Sequence, residues 1–169
     1  MNKKELRDIL AQHELWLDSD GEQGRRADLT EANLRGTDLT EANLSRADLT
    51  GADLTGASLT GANLRGANLR RTNHLLADLY EADLREATLT EANLRGTDLR
   101  GANLSEANLR GATLRGAHFD GADLRGAKLG PEIRECWSFD QARVSEDQLA
   151  WLCLHPKFSE WIDELEIVN

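Results

Sequence analysis

Residues 31–59 read EANLRGTDLTEANLSRADLTGADLTGASL, and a leucine falls at every fifth position: Leu34, Leu39, Leu44, Leu49, Leu54 and Leu59. Five matches neither the helical period of about 3.6 nor the strand period of 2. The same spacing runs from 29 to 129, which gives 21 central positions; 19 are leucine, and the exceptions are His74 and Phe119. Two residues before each centre stands a small residue, alanine except for Thr37, Thr72 and Thr97. The residue between them, the outer position, is mostly Asp or Asn. After the centre come two corner positions, the first usually Thr or Arg and the second Gly, Glu or Arg.

Strand geometry explains part of this order. In an extended segment the small and central residues face one side and the outer residue faces the other. Each repeat therefore holds a three-residue strand reading in, out, in. Two polar residues then follow in succession before the next inward alanine, which a straight strand cannot do. The chain must turn once per repeat, and glycine at the second corner of 11 repeats supplies the residue that tolerates a positive φ. A chain that bends the same way every five residues closes into a coil, and coils stack at about 4.8 Å through backbone hydrogen bonds. No repeat can bury its own leucine, so stability must come from stacking.

The units ADLTG and ANLRG, repeated over residues 25–130 without an insertion, resemble the pentapeptide-repeat family. The resemblance implies an all-β solenoid, a right-handed quadrilateral β-helix with four repeats per coil. The repeats would then make about five coils, a rod ~25 Å long. It also implies that Leu29, Leu49, Leu69, Leu89 and Leu109 form one interior column. Some members are acidic dimeric rods that resemble DNA and bind DNA gyrase. The resemblance therefore offers an alternative function: binding or protecting a topoisomerase by DNA mimicry.

Three segments are expected: 1–24 as a capping helix and turn, 25–130 as the coils, and 131–169 as a distorted last coil with C-terminal capping helices. Asn2 with Glu5 matches a capping box, and Leu6, Ile9, Leu10, Trp16 and Leu17 form a helical apolar stripe that includes His13. DSDGEQG at 18–24 reads as a turn, because Leu29 stands where a calcium loop needs a bidentate Glu. Pro131 breaks the repeat, and Phe139, Ala142 and Val144 return to its register. Ser145 with Gln148 opens a helix that Pro156 ends, and a second short helix follows. All four tryptophans lie outside the regular repeats, where they would seal the ends.

The net charge of −10 opposes binding to nucleic acid or anionic membrane. That charge sits mainly at the ends, since residues 25–130 carry 15 acidic and 14 basic residues. A duplex mimic needs dense negative charge along the rod, so this distribution speaks against DNA mimicry. Two cysteines, Cys136 and Cys153, suggest no disulfide framework, and no stretch is long enough to span a bilayer. A cytoplasmic location is expected. The histidines and cysteines lack metal-site spacing, and the repeats place like residues in rows rather than bringing unlike groups together. No catalytic residue, metal site or cofactor is expected.

That leaves a rigid scaffold for an unidentified protein partner, as a monomer or as a homodimer formed through the end caps. One coil departs from the pattern. From 71 to 91 every second-corner residue is non-glycine: Arg71, Leu76, Glu81, Glu86 and Glu91. The same coil holds His74 at a centre and Leu75, Leu76 and Tyr80 at corners. These four residues are the candidate partner-binding set. The competing reading is a tolerated irregularity, or a bulged corner that tucks Leu75 or Leu76 inward in place of His74. Glu81, Glu86 and Glu91 are expected to avoid positive φ, giving this coil a different corner type. If His74 is interior, Thr72 is the first candidate to bond its ring.

Overall fold

In the computed structural model, residues 1–136, 138–148 and 166–167 are described. Trp137, Trp151, Trp161, Cys153, His155, Pro156 and the second C-terminal helix lie outside them.

Parallel backbone bridges join each outer residue to the one 20 positions on, from Asp28↔Asp48 through Asn108↔Lys128. Twenty residues are four repeats, so each coil has four short faces. The bonds come in a fixed set: Leu29 N–H donates to Asp48 O at 2.7 Å, Asp48 N–H to Ala27 O at 3.0 Å, and Glu31 N–H to Thr50 O at 2.8 Å. Leu29, Leu49, Leu69, Leu89 and Leu109 are all buried and stand one coil apart, as the column requires. Each contributes roughly 1.5–3 kcal/mol of burial. Alanine two residues earlier keeps the interior narrow enough for the leucines to fill it.

The outer positions differ from expectation. They are exposed in the first coil, but most are half-buried further along, and Asp123 is buried. Neighbouring coils cover them on both sides. Their carboxylates and amides fold back onto the corner: Asp28 Oδ1 accepts from Thr30 N–H at 3.1 Å, Asp78 Oδ1 from Tyr80 N–H at 2.9 Å. A short side chain ending in an acceptor is what this closure needs, so Asp and Asn recur there.

The corners overturn the expectation for 71–91. All the second-corner residues from 31 to 126 have φ between +55° and +73°, glycine or not. Glu81, Glu86 and Glu91 lie at 55°, 61° and 60°. The first-corner residues do not share the positive φ, and the following amide closes the turn onto the centre, as Ala82 N–H does onto Leu79 O at 3.1 Å. This is the type II pattern throughout. The cause is the stack itself. Glu81 N–H donates to Arg100 O at 3.0 Å, and that bond exists only in the common corner geometry. Left-handed backbone costs about 1–2 kcal/mol, and losing buried backbone bonds costs at least as much.

Helix α1 (Lys3–Asp18) starts at the expected capping box, with Asn2 Oδ1 accepting from Glu5 N–H at 2.9 Å. Leu6 joins the buried core, and Ile9 and Leu10 pack against it together with Ala32 and Ala42 of the first coil. His13 is fully buried, more than the stripe alone suggests. Its Nδ1 accepts from Ala27 N–H at 3.0 Å, which leaves Nε2 as the donor to Ser45 O at 3.1 Å. One imidazole therefore ties α1 to two separate points of the first coil.

At the other end a 3-10 helix (Pro131–Glu135) replaces one strand, yet register survives it. His118 still bridges Ser138 and Asp123 still bridges Arg143. Phe139, Ala142 and Val144 are buried as their positions require, and Phe139 stacks on Phe119 with centroids 5.2 Å apart. Strand β1 (Arg143–Val144) pairs in parallel with β2 (Glu166–Ile167), adding a further layer. Ser145 N–H donates to Gln148 Oε1 at 2.8 Å, one half of the expected box, and residues 146–148 are helical.

Candidate functional site

The corner after each coil's second face carries, in order along the stack, Gly36, Gly56, Leu76, Gly96 and Gly116 at its second position. Leu76 is the one large side chain in that series. It is 67% exposed, and its backbone is held at φ 56° by its N–H bond to Arg95 O at 3.0 Å. A β-carbon placed on Gly96 would lie 2.8 Å from Leu76 Cδ2, so the leucine lies flat over that glycine. Leu75 beside it is half-buried. Its N–H donates to Asn73 Oδ1 at 3.3 Å, and Asn93 Nδ2 donates to the same oxygen at 2.8 Å. Asn73 Nδ2 in turn donates to Thr55 Oγ1 at 2.9 Å, so an amide ladder fixes the wall behind the corner.

Below Leu75 and Leu76 runs an open groove of about 440 Å³. Arg95 and Arg115 stand one above the other along one edge, Gly96 and Gly116 line its floor, and Glu135 follows them one coil on. Neither arginine forms an ion pair with a described residue. By contrast, Arg85, Arg100 and Arg125 each clamp the Asp two residues earlier.

The other two candidates lie elsewhere. His74 occupies the interior column, fully buried, so the bulged corner with an inward leucine does not occur. Both its ring nitrogens lack a hydrogen-bond partner among the described residues. Thr72 does not serve it, because its hydroxyl donates to Leu69 O at 2.6 Å, the local backbone bond that threonine side chains favour. Burial pushes the His74 imidazole down to about 4. Tyr80 is 39% exposed but stands on the next corner, under the Arg100 guanidinium 5.8 Å from its ring centre. A hydrogen bond to Glu81 and that carboxylate's charge raise its phenol above the usual range.

Thus Leu75 and Leu76 share a groove, His74 lies inside the wall, and Tyr80 does not line it. Sequence reasoning missed Arg95 and Arg115. The signal was available: they follow Leu75 at offsets of 20 and 40, which four repeats per coil places in one column. Among the described residues no group of His, Cys, Asp or Glu could hold a metal ion, and no helix is long and apolar enough to cross a membrane. Cys136 is buried and its thiol is pushed well up by desolvation.

The Pentapeptide repeats family model matches residues 27–66, 62–101, 77–116 and 92–130. The chain belongs to the pentapeptide-repeat family. Proteins of this family fold as right-handed quadrilateral β-helices. This pentapeptide-repeat chain is similar to a pentapeptide repeat protein from the cyanobacterium Cyanothece 51142, at 28% identity and a TM-score of 0.52, covering 84% of this chain and 97% of that one. It is also similar to a pentapeptide repeat protein of the Arabidopsis thaliana thylakoid lumen, at 32% identity and a TM-score of 0.40, with 72% and 74% covered. QnrB1, a plasmid-mediated fluoroquinolone resistance protein, matches at 20% identity and a TM-score of 0.40, with 80% and 74% covered. No curated protein matches the chain in sequence.

Proposed function

We propose that this pentapeptide-repeat protein is a non-enzymatic scaffold of the cytoplasm that holds a protein partner at the Leu75–Leu76 corner. The observation that carries the reading is Leu76 itself, exposed and left-handed in a series otherwise made of glycine. The stack sets the left-handed backbone at every corner, so what marks the surface is the side chain: glycine would hold this corner without strain, and leucine instead puts an apolar side chain into solvent beside Leu75. The frame around it is rigid by construction, since the ladder and corner bonds repeat at every coil. In this reading residues 1–24 and 131–169 are caps that end the stack, and 25–130 are the working surface. Inhibition of a topoisomerase by DNA mimicry has less support. Asp53, Asp83, Asp98 and Asp123 are each paired with an arginine, so the coils lack the unbroken negative charge of a duplex.

The experiment is partner capture from native extract by the wild-type chain and by Leu75→Thr, Leu76→Gly and Tyr80→Thr combined. Each replacement is a residue common at its position. The reading expects capture to be lost while the fold persists; unchanged capture moves attention to the end caps. A supercoiling assay with added protein separates the alternative, which requires inhibition below micromolar concentration.

A further inference from the structure

We propose that the groove beneath Leu76 receives an extended acidic segment of the partner protein, with its carboxylates on Arg95 and Arg115 and an apolar side chain against Leu75 and Leu76. The inference rests on the corner being the partner surface and adds the chemistry of what binds there.

Charge carries the argument. Eight arginines of the coil region, among them Arg35, Arg65 and Arg100, have a carboxylate within 4.0 Å. Five have none among the described residues, Arg25, Arg46, Arg95, Arg110 and Arg115, and of these Arg95 and Arg115 line one groove together, one coil apart on the same edge. Two unpaired guanidinium groups side by side raise the local potential, and a partner carboxylate would relieve it through charge-assisted bonds. Carboxylates two residues apart in an extended strand lie about 7 Å from each other, a gap that two long arginine side chains can span.

Shape limits the occupant. Leu76 covers the floor at Gly96, but at Gly116 the floor stays at backbone level, where a β-carbon would meet nothing closer than 3.8 Å. The channel is therefore open to a bare main chain with small or alternating side chains. A helix, about 10 Å across, would rest on the rims without reaching the floor. Leu75 and Leu76 make one wall apolar, so one residue facing that wall should be aliphatic or aromatic. Glu135 repels a carboxylate at the far end and confines the acidic residues to the two arginine levels.

The test uses a fluorescein-labelled peptide of alternating aspartate and leucine, titrated against the full chain and read by anisotropy. Saturable binding is expected, weakened about tenfold by Leu76→Gly and by Arg95→Thr with Arg115→Thr. It should also weaken as salt rises from about 50 to about 500 mM. Glu135→Gln should tighten it, and a peptide with lysine in place of aspartate should not bind. Both arginine replacements and the leucine replacement install residues already common at those positions, and melting curves confirm that the variants fold. No saturable binding, equal binding by the double arginine variant, or tighter binding of a single-stranded oligonucleotide would overturn the proposal. Partner capture in parallel separates the two readings. If the peptide fails but capture still depends on Leu76, only the acidic chemistry is wrong; if capture ignores Leu76, the corner itself is wrong.

Discussion

His74 carries a cost that no neighbouring leucine does. It fills a leucine site with a ring whose two nitrogens find no partner among the described residues, and leaving an N–H unpaired in the interior costs about 1–3 kcal/mol. The same burial makes stability depend on pH. The unfolded chain takes up a proton as pH falls through the ordinary 6.5, whereas the folded chain does not until about 4. Across that window the unfolded state binds more protons, so folding stability declines as pH falls, by about 3 kcal/mol from this residue. Urea titrations of wild type and His74→Leu at pH 7, 5.5 and 4 should show the variant more stable at each pH and the gap widening toward acid. Parallel pH profiles would mean that the ring finds a partner when it protonates. The comparison isolates His74 from His13, whose imidazole desolvation also holds below its ordinary range. That His74 breaks the leucine series was legible in the sequence; that Thr72 turns to its own backbone was not, because hydroxyl rotamers follow local carbonyls that no residue pattern records.

At the scale of the corner, residue identity decides less than stacking does. Leucine spacing, inward alanine and the return of register after Pro131 were all readable, since each follows from which side chains must be buried together. The corner at Glu81 was not, because its φ is imposed by Arg100 O of the next coil, a partner 19 residues away. A glycine at 56 has nothing within 4 Å of its missing β-carbon, so Gly56→Ala tests the backbone cost alone. It should lower stability by about 1 kcal/mol in chemical denaturation, whereas Glu81→Gly should raise it by roughly 0.5–1 kcal/mol. A second test concerns the coil. Excising residues 47–66 joins Arg46 to Ala67 and stacks Asp28 against Asn68 in place of Asp48. The shortened chain should fold cooperatively, with a urea m-value smaller by roughly an eighth, since m scales with the surface buried. Failure to fold would show that the second coil holds something the others lack.

The whole molecule is a stack with a different solution at each end. At the start His13 makes two bonds from α1 to the first coil, and both depend on a neutral ring with its proton on Nε2. Removing residues 1–24 would bare the amides and carbonyls of the first coil, an unpaired β-edge that invites another chain. Sedimentation velocity should find larger, concentration-dependent species for that truncation than for the full chain at equal concentration; identical sedimentation would mean that the coil protects its own edge. The groove at Leu76 was half legible at this scale. Leu75 and Leu76 stood out as misfits, but their arginine neighbours became visible only once residues 20 apart were placed side by side.

The ladder also sets how the molecule yields to force. Every backbone bond between the regular coils links residues 19 or 21 apart, so a chain pulled from its ends has no long-range clasp among these contacts to break all at once. It should peel coil by coil. Each released coil frees 20 residues. At ~3.4 Å per residue, less the ~5 Å of stack height lost, the chain should lengthen by about 60 Å per step. In an optical trap this should appear as a run of near-equal extensions rather than a single rupture, the behaviour of a spring that gives way by turns.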